Sequence, residues 1–127
     1  MLDAQDDADV VPACGEGGDL AACSNRLSVL LPSGSWLVQG KLVIAKSAGL
    51  ASGGSLCGLV RGDGTSLDQA PIVRATADGE VIALTGVLSG VADDTRVGLR
   101  CREGLSEELE LANLTLTALE VRPVTGA

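Results

Sequence analysis

The chain has 127 residues, 17 of them acidic against 9 basic, with no histidine and a formal net charge of −8, a balance that disfavours electrostatic binding to nucleic acid or an anionic membrane. That length is one domain by the usual size prior; with one Trp and no Phe or Tyr, its core must be built from Leu, Val, Ile and Ala. Seventeen glycines, with Ser, Asp and Thr between short apolar runs, punctuate the sequence as in an all-β protein, and no apolar run approaches the roughly 20 residues of a transmembrane helix.

Residues 1–26 are read as an acidic N-terminal arm, carrying Asp3, Asp6, Asp7, Asp9, Glu16 and Asp19 without sustained periodicity. Two placements are open: a solvated tail, or a segment lying along a neighbouring subunit and docked through Val10, Val11 and Pro12. Met1 runs directly into LDAQDDADVV, with neither the charged nor the apolar region of a secretion signal. Such a start fits a protein made without a leader, or a mature domain given its own start codon. Four cysteines without His or a Cys-x-x-Cys pair point to disulfides before zinc. Of the three pairings that four cysteines allow, Cys14–Cys23 is favoured by local closeness and Cys57–Cys101 by matching strand faces. Four buried free thiols in a reducing compartment are the other reading.

Residues 27–127 form the expected sandwich. Leu27, Val29 and Leu31 alternate with Ser28 and Leu30 as a short strand, and Leu-Pro-Ser-Gly at 31–34 reads as a turn. The long stretch after it, through Lys46, puts Trp36, Val38, Gly40, Leu42 and Ile44 on one face and Leu37, Gln39, Lys41, Val43 and Ala45 on the other. A Gly/Ser/Ala loop follows at 47–54, then a strand over 55–61 with Cys57 and Leu59 inward, closed by Gly62-Asp63-Gly64. Residues 71–77 read as a strand ending in Asp78-Gly79, a hairpin signal. The stretch 80–89 is apolar on both faces: Ile82, Leu84, Gly86 and Leu88 face one way and Val81, Ala83, Thr85 and Val87 the other. The second set is the expected oligomer interface. Over 95–102, Thr95, Val97, Leu99 and Cys101 should point inward, leaving Arg96, Gly98, Arg100 and Arg102 to solvent. The last strand, 109–121, slips phase near Asn113, as a bulge would require, and slips back at Leu119 and Val121. The predicted core is Trp36, Val38, Leu42, Ile44, Leu59, Leu84, Leu99 and Leu116.

The stretch LPSGSWLVQGKLVIAK, with one residue fewer between Pro32 and Gly34, resembles the Pro-x-x-Gly-x-aromatic strand at the centre of jelly rolls of the tumour necrosis factor and complement globular-head type. LTGVLSGVADDTRVGLRC resembles that family's strand pair around a loop carrying Gly or Asp, and NLTLTALEV its closing strand. The resemblance spans Leu27 to Arg122 and extends to small jelly rolls of high-GC bacteria and their phages, which place a Cys in the strands corresponding to Cys57 and Cys101. It implies an antiparallel β-sandwich of jelly-roll type and a threefold assembly in which Val81, Ala83, Thr85 and Val87 meet near the axis. The chain departs from the family in lacking the Tyr and Phe of its threefold interface, where Leu and Val would stand instead.

Catalytic chemistry finds little to work with. No His supplies a general base, and Lys41 and Lys46 have no evident buried setting. Asp93-Asp94 and Glu107-Glu108 read as turn residues rather than a glycosidase pair, and Asp63, Asp68, Asp93 and Asp94 lack the fixed spacing of a calcium loop. Arg61-Gly62-Asp63 and the sequon Asn113-Leu114-Thr115 are read as chance matches. The expectation is a non-enzymatic structural subunit of a phage virion, a capsid decoration or head-fibre protein. It would self-associate as a homotrimer and bind no cofactor or metal, with the N-terminal arm directed at a major capsid protein. A secreted or cell-surface bacterial binding module is the alternative, and it accounts better for the cysteines.

Overall fold

Trp36, Val38, Gly40, Leu42 and Ile44 are buried while Gln39 and Lys41 between them are exposed, so the period-two pattern of the long central stretch is realised as a strand with one face in the core. The computed structural model describes residues 2–6, 11–12, 14, 20, 23–48, 55–72, 79–104 and 108–121. Among them run β1 (Leu2–Asp6), β2 (Val11–Pro12), β3 (Leu27–Leu31), β4 (Gly34–Ala48), β5 (Ser55–Arg61), β6 (Ser66–Ile72), β7 (Val81–Val91), β8 (Thr95–Arg102) and β9 (Glu108–Glu120). The described residues contain no helix of regular length.

The strands form two antiparallel sheets. Sheet one has the order β1-β9-β4-β7, with β2 also on β9, and sheet two has the order β3-β8-β5-β6. Setting the two-residue β2 aside, strands one, eight, three and six of the remaining eight lie in one sheet and two, seven, four and five in the other. That interleaving is a jelly roll. Between the sheets lies an aliphatic core that includes Leu31, Trp36, Val38, Leu42, Ile44, Leu59, Leu84, Leu99 and Leu116. Burying each Leu or Ile of this set contributes roughly 1.5–3 kcal/mol relative to leaving it in water.

The turn into β4 is tied at both ends of its motif. Gly34 takes φ 139°, Trp36 Nε1 donates to the Pro32 carbonyl at 3.0 Å, and the Ser33 N–H reaches the Asp93 carboxylate at 2.7 Å. The phase slip in β9 is present as well: Asn113 has φ 52°, the register shifts between Lys41 and Val43, and Leu109, Leu111, Leu114, Leu116 and Ala118 all reach the core.

Four elements differ from the sequence reading. The N-terminal segment, expected as an arm, contributes β1, paired along Leu114 to Ala118 of its own β9, and β2, where Val11 faces Leu111 and Pro12 faces Glu110. An expected strand over 71–77 is instead β6, beginning at Ser66; Pro71 is accommodated because β6 is an edge strand, and residues 73–78 lie outside the described set. Asp78 of the expected hairpin lies among them; after it, the Gly79 N–H binds the Ile44 carbonyl at 2.7 Å, and β7 pairs with β4 in the other sheet rather than with β6. Leu119 and Val121 do not slip back inward but stay exposed.

Candidate functional site

Sheet one presents a broad outer face. Val81 and Val87 are 60% and 64% exposed, and Ala83 and Thr85 between them are exposed too, so the proposed interface residues of β7 form one uncovered stripe. Register extends the stripe across the sheet. Val87 lies opposite Leu37, which lies opposite Leu119; Val81 lies opposite Val43, which is followed by Ala112. The rows between are polar, Thr85-Gln39-Thr117 and Ala83-Lys41-Thr115. The sequence named the β7 residues but not Leu37 and Leu119, whose place beside them follows only from which strands flank β4.

The β7 edge beside this stripe is partly closed. Asp68 of β6 accepts the Thr85 N–H at 2.9 Å, and Leu67 lies close over Gly86, where a Cβ would meet its side chain at 2.8 Å. An edge strand so capped is a poor template for adding another strand, which leaves the face rather than the edge for association.

Sheet two is partly covered instead. Leu20 and Asn25 lie over its outer face, Leu20 above Gly58 and the Asn25 carboxamide above Gly98, positions where any Cβ would collide with those side chains. Arg100, expected in solvent, is only 7% exposed. Its Nε donates to Asn25 Oδ1 at 2.6 Å and its Nη1 to the Leu20 carbonyl at 3.3 Å, while burial lowers its pKa from the ordinary value. Gly98 is buried with it. The correction has a plain cause: alternation tells which face a residue is on, not whether a distant segment crosses that face.

Both cysteine pairs are disulfides, Cys14–Cys23 and Cys57–Cys101. Cys57 and Cys101 are directly opposed on β5 and β8, with Cα atoms 4.0 Å apart, and are 0% exposed. Cys14 and Cys23 are half-buried at the margin of sheet two. Cys14 joins the sheet through a bridge to Arg102, its N–H reaching the Cys101 carbonyl at 2.7 Å.

At one end of the sandwich, Arg61, Gly62, Asp63, Asp94, Thr95 and Arg96 line an open hollow of about 270 Å³. The Arg61-Gly62-Asp63 tripeptide is drawn into the turn there: Asp63 accepts the Thr65 N–H at 2.9 Å and the Gly62 N–H binds the Arg96 carbonyl at 2.8 Å. Asp68 and Asp93 are occupied with backbone N–H groups elsewhere. Among the described residues no three Cys, Asp or Glu side chains gather as a metal set. Glu107 of the acidic pair lies outside the described residues. No protein-family model and no curated protein matches this chain.

Proposed function

We propose that the chain is a non-catalytic, self-associating jelly-roll subunit of a larger surface, with a phage virion decoration or head fibre as its setting. The observation that carries this reading is the exposed apolar stripe of β7, continued by Leu37 and Leu119. Patches of this kind mark association sites, and burying one contributes roughly 25 cal/mol per Å² of apolar area. The motif from Pro32 to Trp36 and the strand interleaving support kinship with jelly rolls of the tumour necrosis factor and complement globular-head type, and with it a threefold arrangement about the β7 stripe. Two disulfides favour a second reading, a secreted or cell-surface bacterial module. Capsid or tail genes beside its own gene would support the first setting and a leader in the parent gene the second.

Light scattering tests the association itself. The wild-type protein at tens of micromolar is expected as a trimer and Val87→Asp as a monomer with an unchanged circular dichroism spectrum. A wild-type monomer, or a variant that assembles as before, would overturn the reading.

A further inference from the structure

The two disulfides differ in access although they are neighbours. Cys57–Cys101 is sealed between the sheets, whereas Cys14–Cys23 is half-buried outside them. Beside the outer pair stands Arg26, whose Nη2 donates to Cys14 Sγ at 3.8 Å and whose buried Nε has no hydrogen-bond partner among the described residues. A cation next to a sulfur stabilises its thiolate and makes it the better leaving group. Cys14 is therefore the sulfur to be expelled, and Cys23 the one to be attacked.

The outer disulfide also ties down what lies over Arg100. Cys14 is held to β8 by its N–H and by its carbonyl, which accepts the Glu103 N–H at 3.0 Å. Cys23, nine residues on in sequence, leads into Asn25 and Arg26, and the Arg26 N–H binds the Leu99 carbonyl at 2.9 Å. Loop-closure entropy for a bridge this short favours the closed form by about a hundredfold. With the bridge cut, Leu20 and Asn25 lose that constraint, and the guanidinium they cover regains water as they leave it.

We propose that Cys14–Cys23 is a reducible latch, opened by a dithiol reductant while Cys57–Cys101 stays intact, and that its opening uncovers the face of sheet two that holds Arg100. A reductant thiolate attacks Cys23 Sγ, the Cys14–Cys23 bond breaks, and Cys14 departs as a thiolate beside Arg26. The second reductant thiolate then attacks the reductant's own sulfur in the mixed disulfide and closes the reductant's ring. Cys23 is released as a thiolate, two electrons have passed to the protein, and the two protons come from the reductant's S–H groups. What emerges is Arg100 beside Gly98 and opposite Gly58 of the neighbouring strand.

The test is graded dithiothreitol treatment of the whole protein, with thiols counted and located by maleimide labelling and mass spectrometry. Phenylglyoxal reports on Arg100, with exposed Arg96 as reference. Thiols are expected first at Cys14 and Cys23, with Arg100 labelling rising at least about tenfold over Arg96 and the β-sheet spectrum retained. Arg26→Met should slow the release by about tenfold; an unchanged rate would overturn the leaving-group assignment. The Cys14→Ser/Cys23→Ser protein should label at Arg100 without reductant. Release of all four thiols in one step, or an Arg100 that stays protected once Cys14 and Cys23 are free, would overturn the latch.

Discussion

Trp36 is the chain's only aromatic ring, and it is 4% exposed, with its indole N–H spent on the Pro32 carbonyl at 3.0 Å. Trp36→Phe keeps a ring in the core but drops that donor, and the expected loss is about 1–2 kcal/mol in urea unfolding followed by circular dichroism. Asp63 makes a different residue-scale prediction. The Thr65 backbone N–H, then the Thr65 hydroxyl, hold its carboxyl below the ordinary value of 3.8. Because the folded value is the lower one, its small stabilisation is present above 3.8 and is lost as pH falls through the folded value. Asp63→Ala should therefore be less stable than wild type at neutral pH, with the gap closing in acid; a gap that is constant with pH would refute the assignment.

The edge formed by β6 and β7 shows how elements here depend on single side chains. Asp68→Ala frees the Thr85 N–H, and hydrogen exchange at that amide should quicken by about tenfold while amides in β4 hold their rates. β6 also shows where reading from sequence stops. The strand stretches Trp36 to Ile44, 80–89 and 95–102 were legible because one face of each is continuously apolar, and the slip at Asn113 was legible because the leucines change parity there. Ser66 to Ile72 has no such face: Asp68, Gln69 and Pro71 suit an edge strand, and edges carry little pattern. Gly79 has the positive φ of a turn, yet local turn chemistry is the same whether the chain reverses within a sheet or crosses to the other. The candidate site divides along the same line. The β7 stripe could be read from one strand, whereas the cover over Arg100 depends on Asn25, some 75 residues away.

At the scale of the whole molecule, Cys57–Cys101 is the staple. Closing a separation of 44 residues, it should be worth about 4 kcal/mol on the loop-entropy model, so Cys57→Ala/Cys101→Ala should lower the unfolding free energy by that order in guanidinium titration. The strand order gives this staple a second consequence. Among the described strands only β5 and β6 pair with an immediate neighbour in sequence; β3 waits for β8, β4 for β7 and β9, and β1 for β9. A search that must close such long loops before any contact rewards it is slow, on the order of milliseconds to seconds for sandwiches of this kind. The oxidised chain begins that search with β5 and β8, the middle pair of sheet two, already within reach of each other. In stopped-flow refolding it should outpace the double alanine variant, so the same bond that steadies the finished sandwich also decides where its assembly starts.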